Sequence, residues 1–187
     1  MRRADLDHRD GRRFRTGRPS LDLVHTGGEG PLAVWELLHE PSDLATWLAV
    51  VVDADVVRPT AADLAATKRL RAAHRAIAEA LIAGEALPPR AVATVNRAAA
   101  RPPLVPRLDA AGGLALQPGT TTQALATLAR DLQQLVASPL ARRVRVCASD
   151  SCGLIFVDAS RPGRRRWCSM ERCGTIAKTR AHRARGG

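Results

Sequence analysis

Three observations predict an α+β fold: apolar residues recur at helical spacing, one turn-rich interval lies between Pro103 and Pro118, and every cysteine falls within residues 147–173. The expected architecture is a mainly helical N-terminal domain with a small β-hairpin, followed by a C-terminal cysteine module. At 187 residues the chain can hold one medium domain plus such a module. No internal repeat is visible.

Residues 1–18 are charged and contain glycine, with Phe14 as the large apolar residue, so a disordered basic arm is expected. The stretch PSLDLVHT then sets Leu21 and Leu23 against polar neighbours, which reads as a short strand or extended lead-in. GGEGP is a loop. Pro41-Ser42-Asp43 opens a helix over Leu44–Val51, with Ser42 as N-cap and Trp47 inward. Thr60 and Asp63 have capping-box spacing, and Leu64, Leu70, Ile77 and Leu81 share one face of the long helix that follows. Gly84 stops it. Pro88-Pro89 begins a helix running to about Ala100. LVPRLDAAGGLALQ is a hairpin turning at Ala-Gly-Gly. Thr120–Thr122 cap a last helix carrying Leu125, Leu128, Leu132 and Leu135, and Ser138-Pro139 ends it. The helical domain is therefore placed at residues 19–140 and the cysteine module at 141–187.

In that module Cys147 and Cys152 are separated by fifteen residues from Cys168 and Cys173, giving two Cys-x4-Cys pairs. Two short-spaced thiolate pairs joined by a hairpin-length segment suit a tetrahedral Zn²⁺ site. Disulfides would need an oxidising compartment. The N-terminal MRRADLDHRDGRRF mixes both charges and has no apolar core, so no export signal is read there. The apolar run Leu44–Val52 is far too short for a bilayer span. Four thiolates fill the coordination sphere and leave no open position for water, so one structural zinc is expected. His182, nine residues past Cys173, is read as solvated.

The net charge of +11 is unevenly spread. Residues 1–18 carry +4, residues 19–141 carry −2 from ten basic and twelve acidic side chains, and residues 142–187 carry +9. Cationic ends on a near-neutral middle are an electrostatic footprint for nucleic acid. The helical domain offers little chemistry: His25, His39 and His74 are scattered, Asp53 and Asp55 read as a turn, and Gly27-Gly28-x-Gly30 lacks a strand–helix context. Trp35 and Trp47 are expected in the core.

Val144 and Val146 read as a strand into the first cysteine pair, Leu154–Val157 as its partner, and Asp158–Gly163 as a turn. Arg164–Trp167 would return as a pairing strand, Trp167 shielding the metal, and GTIAKTRAHRAR would form a cationic helix. Knuckle, hairpin and helix in this order make a treble-clef-like module. Loss of one ligand, as in Cys168→Ser, is expected to unfold residues 144–185 and leave the helical domain folded.

The stretch Cys147-x4-Cys152-Gly153-x2-Phe156-x-Asp158-x-Ser160, then Arg166-Trp167-Cys168-Ser169-Met170-x2-Cys173-Gly174 with Lys178, resembles the CGNR-type zinc finger. Phe14-Arg-Thr-Gly-Arg-Pro-Ser-Leu-Asp-Leu-Val and Leu44-Ala-Thr-Trp-Leu48 resemble the ABATE domain that accompanies it in bacterial stress-induced transcriptional regulators. Two departures stand out: the family's Cys-Gly-Asn-Arg is Cys173-Gly174-Thr175-Ile176 here, and its Asn-Thr after the first strand is His25-Thr26. The resemblance implies a DNA-binding regulator, in agreement with zinc beside a segregated basic patch.

The expected duplex-DNA contacts are Arg164, Arg165, Arg166, Lys178, Arg180, Arg183 and Arg185, and the N-terminal domain would sense an effector or dimerise. The alternative is an adaptor whose finger binds an acidic protein partner. An enzyme is the third reading, and no catalytic constellation is visible in its favour. A cytoplasmic, nucleoid-associated protein without a membrane partner is expected. The DNA sequence read, a homodimer, and the identity of any small-molecule effector stay open.

Overall fold

The computed structural model describes residues 16–108, 110–149, 152–175 and 178–179. Its elements are α1 (Pro19–Val24), α2 (Pro41–Val51), α3 (Ala61–Ala83), α4 (Pro89–Ala99), β1 (Pro106–Leu108), β2 (Leu114–Leu116), α5 (Thr121–Val136), β3 (Val144–Val146) and β4 (Ile155–Val157). Short 3₁₀ turns occupy Gly30–Trp35 and Pro139–Arg143, and a wide turn spans Met170–Gly174.

The long helix α3 is the spine. Thr60 Oγ1 accepts the Asp63 N–H at 3.2 Å while Asp63 Oδ2 accepts the Thr60 N–H at 2.8 Å, the reciprocal pair its spacing predicts. Gly84 ends it at φ +70°, the left-handed region where a Cβ would be strained. Helices α4 and α5 pack on α3 and on each other, with α1 wedged between α3 and α5. One core joins these helices: Leu21, Leu44, Leu48, Leu70, Ile77, Leu128 and Leu132 lie in it. Trp47 is buried with them, whereas Trp35 is half-buried at the edge. β1 and β2 pair antiparallel as the expected hairpin, with Leu108 opposite Leu114.

Four local expectations are corrected. PSLDLVHT is the helix α1, not a strand or extended segment. Pro19 presets the first helical φ, and Ser20 through Val24 are all buried because neighbours cover every face, so apolar alternation carries no period-two meaning there. Residues 16–18 are part of the fold and not a free arm: Thr16 is fully buried and Arg18 Nε lies 3.2 Å from Asp131 Oδ1. Residues 1–15 of the expected arm lie outside the described residues. At α2 the N-cap is Glu40, not Ser42, because Pro41 takes the first helical position; Asp43 Oδ2 then accepts the Glu40 N–H at 3.0 Å. Finally, Arg164–Trp167 is not a strand. β3 pairs with β4, and residues 164–167 run as irregular chain whose backbone bond to the segment after β3 is Ala148 N–H to the Arg166 carbonyl at 2.8 Å.

The β3–β4 hairpin is shared between two cores. Val144, Ile155 and Val157 belong to the helical core, while Leu154 and Phe156 face the cysteines. Alternation along a strand makes this double use possible.

Candidate metal centre and its basic surface

The first cysteine pair is set by a knuckle. The Cys147 N–H donates to the Leu154 carbonyl at 2.8 Å, the Cys152 N–H donates to the Ser149 carbonyl at 2.9 Å, and Gly153 turns the chain at φ +61°. A fully buried carboxylate then aims the second pair. Asp158 Oδ1 accepts the Ser160 N–H at 3.0 Å and its hydroxyl at 2.6 Å, and Oδ2 accepts the Arg165 N–H at 2.8 Å. Burial alone would raise this carboxyl, but these donors hold it below its ordinary value. The loop so fixed places the Arg165 guanidinium 5.1 Å from the Phe156 ring centroid and lets it donate to the Cys168 carbonyl. Trp167 packs against the cysteine cluster, half-buried, with Arg166 stacked 5.3 Å above its ring.

All four thiols are buried, unbridged, and have their sulfurs within 4.8 Å of one another. Sγ of Cys168 lies 3.7 Å from Sγ of Cys152 and 3.7 Å from Sγ of Cys173. A disulfide needs about 2.05 Å. A tetrahedron of zinc–sulfur bonds of about 2.3 Å has edges of about 3.8 Å, so the spacing suits one tetrahedral ion. The Cys168 N–H points at Cys147 Sγ at 3.4 Å, a bond that favours thiolate over thiol. Without a cation the cluster cannot ionise evenly. The hydrogen bond with Cys168 pulls Cys152 down to about 5, whereas that same bond and burial push Cys168 far upward. Burial and the neighbouring thiolate push Cys173 up to about 11. One divalent cation would relieve all of these at once.

The hairpin is fastened to the helical domain by residues whose part the sequence did not reveal. His25 Nε2 accepts the Ile155 N–H at 2.9 Å, and the Thr16 carbonyl accepts the Val157 N–H at 2.8 Å. His25 stands where the resembling family has Asn, and its Nε2 lies 3.2 Å from the Ile155 carbonyl as well, so it meets both backbone groups of that residue. At the second departure the Thr175 hydroxyl donates to the Met170 carbonyl at 3.0 Å, closing the turn that carries Cys173. Ile176 lies outside the described residues.

The expected DNA contacts divide by environment. Arg164, Arg166 and Lys178 are exposed; Arg165 is turned inward on Phe156. Arg180, Arg183, Arg185 and His182 lie outside the described residues, although Thr175, Lys178 and Thr179 are helical, as the tail was expected to begin. Arg142, Arg145 and Arg161 are exposed on the same module, and none of these arginines forms an ion pair among the described residues. Among those residues no helix is long and apolar enough to cross a membrane.

Family comparisons agree with this geometry. A family model named ABATE, described as "Putative stress-induced transcription regulator", matches residues 17–139, and the CGNR zinc finger model matches residues 143–186. A comparison with curated proteins finds no match. The finger match and the four-sulfur cluster together support one structural zinc. With the first model covering most of its length and the second following directly, the chain belongs to the ABATE family and carries a CGNR zinc finger.

Proposed function

We propose that this protein is a zinc-dependent, DNA-binding transcriptional regulator. Cys147, Cys152, Cys168 and Cys173 hold the ion, which fixes the finger as a platform. Arg164 and Arg166 on its surface, with Lys178, Arg180, Arg183 and Arg185 in the tail, neutralise phosphates of duplex DNA, and the helical domain provides the regulatory input. The observation that carries this reading is the exposed cationic face beside the cysteine cluster, without an ion pair among the described residues, on a chain whose middle segment is net acidic. Phosphate contact is favoured over base reading, because Thr175 in place of the family's Asn spends its hydroxyl on the Met170 carbonyl.

The test is a duplex-binding titration over a range of salt, with random and enriched sequences. Each phosphate neutralised adds about −0.9 to the slope of log K against log salt. Arg164→Ala/Arg166→Ala should flatten the slope by about one to two units, and removal of residues 178–187 by about two to four. Zinc should stay bound in both. Unchanged affinity in both variants would remove DNA from this surface. Lost sequence discrimination at an unchanged slope would make the tail a base reader.

A further inference from the structure

A second charged surface lies in the helical domain, away from the cysteines. Helices α3 and α4 border an open trough of about 960 Å³, with Leu125 of α5 at its base. Its floor is alanine from both helices: Ala66, Ala73 and Ala76 on α3, Ala91 and Ala98 on α4. Its rims are arginine. Arg90, Thr94 and Arg97 step along one face of α4, Arg101 continues that line just past the helix end, and Arg69 stands on α3. All four arginines are exposed, and none forms an ion pair among the described residues.

This concentration is not the habit of an arginine-rich chain. Residues 19–141 hold ten basic and twelve acidic side chains, yet four of the ten converge here and Asp63 is the acid lining the trough. Its carboxylate is already taken by the Thr60 amide and hydroxyl. Of the six other basic residues four are engaged internally, Arg71 and Lys68 on Glu36, Arg75 on Glu79, and Arg130 on the carbonyls of Ala99 and Arg101, while Arg58 and Arg107 are exposed and outside the trough. The trough therefore presents surplus positive charge over an apolar floor.

The shape selects the ligand. Arg90 and Arg97 are seven residues apart, a rise of about 10.5 Å, which matches carboxylates two turns apart on a docked helix. Alanine on both walls leaves room for a helix to approach closely. A trough open along its length cannot enclose most of a small molecule, as metabolite sites do. A phosphate backbone would use the arginine rims alone and leave the apolar alanine floor without a partner. We propose that the α3–α4 trough docks an acidic amphipathic helix of a partner protein, its apolar stripe on the alanines and its carboxylates against the arginine rims.

The probe is a synthetic amphipathic helix of alanine and leucine with glutamates flanking its apolar stripe, labelled for fluorescence anisotropy. Controls are a scramble of the same composition and a version with lysine for glutamate. The zinc-loaded full chain should bind the glutamate helix alone among the three. Arg90→Glu/Arg97→Glu should weaken binding by about tenfold or more, since rim charges are reversed. Arg69→Glu, on the other wall, should weaken it independently. These side chains are exposed, so melting curves should be unchanged, and alanine methyl NMR should map the shifts to Ala73, Ala91 and Ala98. Equal binding of the scramble, or by the reversed variants, overturns the proposal. So does competition by duplex DNA for the same methyl shifts, or dodecanoate shifting those methyls where the peptide does not; the former makes the trough a nucleic-acid surface, the latter a small-anion site.

Discussion

Removing zinc should dismantle the finger unevenly, because β4 belongs to two cores. The cysteine side depends on the ion: a folded set of Leu154, Phe156 and the four cysteines, within the 29 residues from Cys147 to Thr175, has too little core to stand alone. Binding free energy at such sites is on the order of 10–16 kcal/mol, and it is folding free energy. The other side does not depend on it. Val144, Ile155 and Val157 are buried among the helices, and at about 1.5–3 kcal/mol per buried side chain their detachment would cost roughly 5–9 kcal/mol. Two further bonds, Ile155 N–H to His25 and Val157 N–H to the Thr16 carbonyl, add to that. Chelation, or Cys168→Ser, should therefore free residues 147–153 and 158–175 while the hairpin stays seated. Amide hydrogen exchange resolves this directly. Protection should be lost at Cys152, Arg165, Cys168 and Gly174, whose amide bonds lie within the finger, and kept at Ile155 and Val157. Exchange of Ile155 and Val157 at the rate of Cys168 would refute the shared-strand account and restore an independent module. No change anywhere would refute the metal.

Three other predictions use the same geometry. Arg165→Ala should lower zinc-retention and melting temperature with little effect on the salt slope, the reverse of Arg164→Ala/Arg166→Ala, because its guanidinium faces Phe156 and Cys168; zinc release kinetics and DNA titration separate the two. Glu36→Gln should cost about 3–5 kcal/mol, read as a lower melting temperature, because the Arg71 side chain is 5% exposed and its bidentate partner lies at 2.7 and 2.8 Å. His74 is fully buried and burial lowers it to about 4; its Nδ1–H donates to the Ser20 carbonyl at 3.1 Å, and neighbouring Asp131 does not offset the burial. Between the unfolded value near 6.5 and 4 the unfolded chain binds one more proton, so this contribution is complete above pH 6.5 and falls by about 3 kcal/mol on acidification to pH 4. Denaturation of His74→Gln against wild type across that range should show the wild type alone losing this increment; parallel curves would contradict it.

What was legible in the sequence were features whose physics is local. The capping box at Thr60, the cap at Thr120, the Gly84 stop, and the hairpin at Ala-Gly-Gly each depend on residues within a few positions of one another, and each is present. The misreadings arose where tertiary contact overrode local pattern. Leu21 and Leu23 alternate, but α1 is surrounded, so its polar positions are buried too and answered by bonds: Asp22 takes the Thr16 hydroxyl and Asp131 takes the Ser20 N–H at 3.0 Å. Partners 111 residues apart leave no mark in a short window.

The metal site was readable because its chemistry needs four thiolates at a spacing that nothing else explains well. Its support was not. Asp158 looked like one residue of a turn, yet it orients Arg165, and Arg165 in turn holds the Cys168 carbonyl. The same three-arginine run read as one basic patch contains two exposed side chains and one structural brace, a distinction set by which neighbour the backbone turns each toward. His25 shows the point most sharply. As a lone histidine it gave no signal, and its departure from the Asn of the resembling N-terminal domain pointed to no role. Its Nε2 instead supplies the acceptor that ties β4 to the helical domain. The same Nε2 lies 3.2 Å from the Ile155 carbonyl, so one ring nitrogen meets both polar groups of a single β4 residue.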